Sequence, residues 1–274
     1  MHGRTVVVTG ASAGVGAAAA AALADLGANV AVVGRSKEKT TEVARRIGGT
    51  PYFVDFASLD DVRRLADELD CPRIDVLANN AGLMNRGRQV TRDGHEMTFQ
   101  VNHLAPFLLT SLLMDRLKAA PDARVISTAS AAHAFARLDL DDLGFGERRY
   151  RANDAYATSK LANILFTQEL ARRAQGTSVT ASAFHPGPVA SEFFRDNSFV
   201  TKVLRSPVGR FAITPDEGAK PLVHLATVAD AQSVNGAYFT RRGRRTPRRT
   251  NPELAARLWE VSERLVGIGD EPNR

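Results

Sequence analysis

Apolar residues fall in a two-part rhythm along the chain. Short runs rich in Val and Ile alternate with longer segments whose apolar positions recur every three or four residues. The first run covers residues 5–9, and an Ala-rich segment over 14–26 follows it across a glycine-rich turn. Further strands are predicted over 29–33, 51–54, 74–78, 124–128, 178–184 and 234–239. Helical spacing is predicted over 37–47, 59–69, 99–119, 154–173, 215–226 and 253–266. In the last of these, Leu254, Leu258, Val261 and Leu265 share one face. Repeated strand–helix units with apolar strands predict an α/β fold, a doubly wound parallel sheet of about seven strands with helices on both faces. No repeat or low-complexity linker interrupts the rhythm, so residues 1–274 read as a single domain.

Two stretches depart from the rhythm. Residues 131–153 carry Asp139, Asp141, Asp142, Gly144 and Gly146 with little periodicity. Residues 186–214 mix Pro188 and Pro207 with Phe193, Phe194 and Phe199. Each follows a predicted strand, which places both at the carboxyl edge of the sheet, where open α/β folds bind ligands. Their length and apolar content predict substrate loops.

Composition narrows the picture at three points. Cys71 is the single cysteine, which excludes an intramolecular disulfide and a thiolate cluster. The longest apolar stretch, 15–26, is too short to span a bilayer, and the strand starting near Arg4 leaves no room for a targeting peptide. A cytoplasmic protein without a membrane segment is expected. The net charge of +6 is local, because Arg241, Arg242, Arg244, Arg245, Arg248 and Arg249 supply six positive charges with no acid among them. That run is expected to be a solvated loop between the last strand and the last helix. It lacks interleaved aromatics, so no specific nucleic-acid partner is expected.

Tyr156 and Lys160 carry the first chemical signal. Four residues apart on a helix, they put a phenol and an ammonium on one face. A phenol ionises near pH ~10 and a neighbouring cation lowers that value, so the pair suits proton exchange with a hydroxyl or carbonyl. A second signal lies between the first strand and the first helix. Gly10, Gly14 and Gly16, with Ser12 and Val15 among them, permit a tight turn where a pyrophosphate can approach helix N–H groups. No Gly-Lys-Ser/Thr follows, which excludes a phosphate-hydrolysing P-loop. At the end of the second strand, NAD-binding folds place an acid for the ribose hydroxyls. Here Arg35 and Ser36 stand instead, and a guanidinium can grip a 2′-phosphate, which favours NADP(H) over NAD(H).

With these motifs the chain resembles the short-chain dehydrogenase/reductase family. The likeness is to the branch of retinol dehydrogenases, WW-domain oxidoreductases and protochlorophyllide reductases. The cofactor loop matches Thr9 to Gly16, and the sheet-stabilising Asn-Asn-Ala-Gly matches Asn79 to Gly82. The segments Ser159 to Phe166, His185-Pro186-Gly187 and Arg257 to Ser262 are similar to the retinol-dehydrogenase branch. The resemblance implies a Rossmann-like fold and a catalytic set of Asn102, Ser130, Tyr156 and Lys160. It implies cofactor contacts from Gly10, Ser12, Gly14, Val15, Gly16, Arg35, Ser36, Asp55, Asn79, Ala81, Pro186, Gly187, Val189 and Ser191, besides Tyr156 and Lys160. Ala129 replaces the first of two serines frequent in the branch, and Ser191 stands where a threonine commonly bonds the nicotinamide carboxamide.

The activity so implied is interconversion of a carbonyl and an alcohol with NADP(H), with Tyr156 as general acid and base, Ser130 polarising the oxygen and no metal. A small apolar substrate is expected from the three phenylalanines. Homodimers or homotetramers are expected through the helices at 99–119 and 154–173, as in the family. Three alternatives stand beside this reading: NAD(H)-linked alcohol oxidation, a non-catalytic NADP-sensing regulator and an arginine-rich nucleic-acid binder. His103, His133 and His185 have no metal-ligand spacing and read as structural.

Overall fold

Val6 and Val8 point to one face of the first strand and Val7 to the other, and all three are fully buried. Such two-sided burial requires helices on both faces, and the computed structural model, which describes residues 1–188 and 213–268, has them. The strands are β1 (Thr5–Thr9), β2 (Asn29–Gly34), β3 (Thr50–Phe53), β4 (Val76–Asn79), β5 (Ala123–Thr128), β6 (Val179–His185), β7 (Tyr238–Thr240) and β8 (Gly243–Arg245). They form an eight-stranded sheet in the order β3-β2-β1-β4-β5-β6-β7-β8. The first seven pair in parallel, and β8 runs antiparallel to β7. The order reverses between β1 and β4, which opens a crevice at their carboxyl ends.

The helices are α1 (Gly14–Asp25), α2 (Lys37–Ile47), α3 (Leu59–Glu68), α4 (Met97–Phe99), α5 (Ala105–Leu112), α6 (Met114–Lys118), α7 (Ala152–Arg173), α8 (Pro215–Thr227) and α9 (Pro252–Val266). On one face α1, α2 and α8 pack on Val6, Val8, Val30 and Val32. On the other, α3, α5, α7 and α9 cover Val7, Leu77 and Val125. Leu59, Val62, Leu65 and Ala66 form the buried stripe of α3, the spacing expected of an amphipathic helix.

Two sequence expectations are corrected. The helix expected over 99–119 is broken into α4, a π-helical turn at Gln100–Leu104, α5 and α6. Pro106 has no N–H to offer the carbonyl of Asn102 four residues back, and the Ala105 N–H reaches Gln100 instead, which closes the wider turn. The arginine run is no free loop. Gly243 turns the chain at φ +92° and the next residues pair with β7 as an edge strand. Its charged side chains guard the exposed edge against pairing with another sheet.

α9 packs against α5 and α7, the helices expected to form a dimer. Trp259 of α9 stacks on Phe166 of α7 at 5.7 Å and meets Phe107 of α5 edge-on at 4.9 Å. Arg173 lies 4.7 Å over the same indole, and His103 bonds Ser262 of α9 at 2.9 Å. Among the described residues no helix is long and apolar enough to cross a membrane.

Candidate active site

The glycine loop between β1 and α1 owes its shape to close backbone approach. Gly10 has φ +66° and Gly14 φ +59°. A Cβ on Gly16 would lie 2.4 Å from the Gly10 carbonyl oxygen, so a side chain there would push the loop apart. Asn80 secures the loop: its Nδ2 donates to the Thr9 carbonyl at 3.0 Å, and its Oδ1 accepts from Thr128 Oγ1 at 3.2 Å. Thr9 Oγ1 in turn accepts the N–H groups of Asn80 and Ala81 at 2.9 and 3.0 Å.

The loop delivers an unfilled helix end. Ala13 at the N-cap of α1 offers no side-chain acceptor, and no acid stands in the first turn. Free N–H groups and the positive end of the helix dipole suit a phosphate there. Ser12 lies against Gly34, whose added Cβ would meet Ser12 Oγ at 3.3 Å. This brings the loop beside the end of β2, where Arg35 is exposed. Ser36 Oγ accepts the Lys39 N–H and caps α2, so its acceptor side is engaged. The residues present therefore fit a dinucleotide.

Other predicted cofactor contacts vary in how they are placed. Asp55 follows β3 and accepts the Ala57 N–H at 3.0 Å, while Ser58 caps α3. The Asn79 side chain is buried and donates to Thr110 at 2.9 Å, while the Asn80 side chain reaches the loop. Ala81 is held through its N–H by Thr9. Pro186 and Gly187 lie just beyond β6, with Gly187 at φ +102°. Val189 and Ser191 lie outside the described residues, as do Phe193, Phe194 and Phe199.

The four predicted catalytic residues converge beside this loop. Asn102 sits in the π-helical turn with its side chain fully engaged. Its Oδ1 accepts the Leu83 N–H at 2.7 Å, and its Nδ2 donates to the Leu83 carbonyl and to Ser159 Oγ, both at 2.9 Å. Lys160 Nζ donates to the Thr128 carbonyl at 3.0 Å, an acceptor shared with Asn163 Nδ2 at 3.1 Å. A Cβ on Gly82 would stand 3.2 Å from Asn102 Oδ1 and 3.4 Å from Lys160 Nζ, so only glycine leaves both in place.

Ser130 N-caps a 3-10 turn (Ala131–Phe135) after β5, its Oγ accepting the Ala132 N–H at 3.2 Å. Its hydroxyl also bonds Tyr156. The Lys160 ammonium lies 5.6 Å from the centre of the Tyr156 ring. Burial pushes Tyr156 up to about 12, and the Ser130 bond works in the opposite direction. Burial also brings Lys160 down to about 8.

The first predicted substrate loop is ordered around a carboxylate. Asp142 accepts the N–H groups of Gly146, Glu147 and Arg148 at 2.6, 3.4 and 3.3 Å, which hold it below the usual carboxylate range. Arg148 stacks 4.0 Å over Phe145. Tyr150 donates to the buried Glu96 at 3.2 Å. Among the described residues no group of three or more His, Cys, Asp or Glu is placed to hold a metal.

Residues 4–199 match the short chain dehydrogenase family. The chain belongs to that family. It is 39% identical to retinol dehydrogenase 13 of Homo sapiens over 282 residues, covering 97% of this chain and 85% of that protein. It is 44% identical to the candidate daunorubicin C-13 ketoreductase DnrU of Streptomyces sp. (strain C5) over 279 residues, covering 97% and 94%. Among solved structures, an uncharacterised protein from Mycobacterium paratuberculosis superposes with a TM-score of 0.80 at 35% identity, covering 97% and 94%. A short chain dehydrogenase from Burkholderia cenocepacia in complex with NADP superposes at 0.70 with 26% identity, covering 87% and 96%. The chain is thus an oxidoreductase of the retinol-dehydrogenase-like branch.

Asn80, Thr128, Ser159 and Asn163 went unread in the sequence although they hold the site together. Asn80 lies within the Asn-Asn-Ala-Gly motif, Ser159 and Asn163 within the segment Ser159 to Phe166, and Thr128 ends a predicted strand, but none of these local signals assigns a role.

Proposed function

We propose that this protein reduces an apolar aldehyde or ketone with NADPH, and that Tyr156 supplies the proton. The observation that carries the reading is the Ser130–Tyr156 hydrogen bond set beside Lys160. Because Ser130 Oγ accepts from Ala132, its own proton is left to point toward Tyr156 or a substrate oxygen. Negative charge developing on that oxygen strengthens the bond in the transition state. The reduced nicotinamide, when bound, supplies hydride. Tyr156, with its pKa near 12, holds its proton at neutral pH and gives it to the nascent alkoxide. Arg35 and the open end of α1 hold the phosphates. Phe135, at the end of the turn that Ser130 caps, is 78% exposed, an apolar side chain close in sequence to the catalytic serine. The names of the relatives, retinol dehydrogenase and ketoreductase, agree with a carbonyl–alcohol pair.

The test is a panel of aliphatic and aromatic aldehydes and ketones, followed by nicotinamide absorbance with NADPH and NADH in parallel. Turnover with NADPH, weaker with NADH, is expected. Reductive turnover should fall as pH rises through about 8, where Lys160 loses its charge beside Tyr156. A preference for NADH would refute the role of Arg35. No reduction of any carbonyl would refute the activity.

A further inference from the structure

Three residues beyond Ser130, His133 closes a bond back to the serine. Its Nδ1 lies 2.7 Å from the Ser130 carbonyl oxygen, and its backbone N–H reaches the same oxygen at 3.1 Å. A carbonyl accepts only, so the ring proton sits on Nδ1 and Nε2 is left as an acceptor. That acceptor is filled from a distant segment: the Arg248 backbone N–H donates to Nε2 at 3.2 Å. Next to it, Arg249 Nε donates to the Ala134 carbonyl at 2.8 Å, from a backbone held at φ +62°. Part of the arginine run is therefore fastened to the turn that carries the serine.

Resting on the activity proposed above, we propose that His133 is a positioning residue. It locks the Ser130 turn through Nδ1 and is itself fixed in one tautomer by the backbone of the Arg248 segment. The ring is 5% exposed, so neither bond is readily replaced by water. Tyr238 of β7 meets it edge-on at 5.1 Å, which sets the ring plane. The titratable and charged groups around it are Arg248, His185 of β6, Tyr238 of β7, and Tyr156 and Lys160 of α7, the helix packed on the same turn. None is an anion that would hold a second proton on the ring. Burial pushes its pKa down, the bond to the Ser130 carbonyl raises it in part, and the Arg248 charge adds to the lowering. A misplacement of about 1 Å at a reacting group can cost roughly a hundredfold in rate. The arginine segment thus acts on the reaction through the Arg248 backbone N–H and the Arg249 side chain.

The test is a double-mutant cycle with decanal and NADPH, read in single turnover with enzyme in excess so that slow variants remain measurable. His133→Phe should lower the rate of reduction about ten- to a hundredfold with NADPH affinity unchanged. His133→Asn, whose amide N–H can reach the Ser130 carbonyl, should recover most of that loss. In a Ser130→Ala background His133→Phe should cost less than about twofold, because the group it positions is gone. An equal loss in both backgrounds, or none in the wild-type background, would overturn the proposal. Nitrogen-15 spectra of the imidazole give a readout independent of turnover. They should show a neutral His133 with its proton on Nδ1 at pH ~7, and a cation or a proton on Nε2 would overturn the relay. Failure of the wild type on every carbonyl, with the expected spectrum, would count against the activity alone.

Discussion

The N-terminus of α1 and that of α3 are finished in opposite ways. At α3, Ser58 accepts the Asp61 N–H, and Asp60 and Asp61 meet the positive end of the helix. The same pattern closes α2 with Ser36 and Glu38, α8 with Thr214, Asp216 and Glu217, and α9 with Asn251 and Glu253. At α1, Ala13 caps nothing and the first turn holds no acid. A good cap contributes about 1 kcal/mol, so its absence leaves the helix end weaker unless an anion fills it. Arg151 at α7 offers no side-chain cap either, but Asp154 stands in its first turn, so α1 differs in lacking both the cap and the acid.

The comparison breaks most directly at Ala13. Ala13→Asp should close α1 as Ser58 closes α3, because the residue already has the extended backbone of an N-cap. The new carboxylate would also repel the phosphates. Affinity for NADPH should fall roughly a hundredfold, while Tm rises by about 2 °C. Isothermal titration and a thermal melt read both. Unchanged NADPH affinity would mean that the open end is not a phosphate site.

Arg35→Ala sharpens the same contrast from the neighbouring strand. A charge-assisted bond is worth about 1.5–3 kcal/mol, so NADPH affinity should drop about ten- to a hundredfold and NADH affinity little. Parallel titrations of the two cofactors decide it. At the capped end, Ser58→Ala should cost about 1 kcal/mol in urea unfolding and leave NADPH affinity unchanged. The smallest effect is expected at Arg244 and Arg245, whose side chains stand exposed on the edge strand. Replacing both with Ser should leave reductive turnover within about twofold and weaken the retention of heparin at low salt. A large loss of turnover would tie their side chains to the site.

What could be read from the sequence divides along the same line. Residues 5–9 and 37–47 emerge with the bounds expected of them, because period and capping are local signals. The glycine loop was legible for that reason too. The break at Gln100–Leu104 was hidden because the apolar spacing of 99–119 is helical throughout and only Pro106 hints at the change. The fastening of Arg248 to His133 spans 115 residues and left no trace in local pattern. Tyr156 shows the limit most plainly. Its spacing from Lys160 was visible, but the burial that raises its pKa depends on how several elements pack. Asn79 and Asn80 are adjacent and identical in type. Which of them reaches the glycine loop is decided by the alternation of a strand that ends between them. Whether α9 leaves room for a partner across α5 and α7 also lay beyond the sequence, since it rests on Trp259 meeting Phe107 and Phe166. Light scattering at micromolar concentration should therefore report a monomer, and a stable dimer through these helices would require α9 to move.

Tyr156→Phe, with NADPH affinity and carbonyl reduction measured on the same sample, tests the central claim most directly. The phenol hydroxyl is the proposed proton source and lies apart from the phosphate-binding end of α1. Reduction should fall by roughly a hundred- to ten-thousandfold while NADPH affinity stays within about threefold. A variant that keeps most of its turnover, or that loses cofactor affinity in step with turnover, would contradict it.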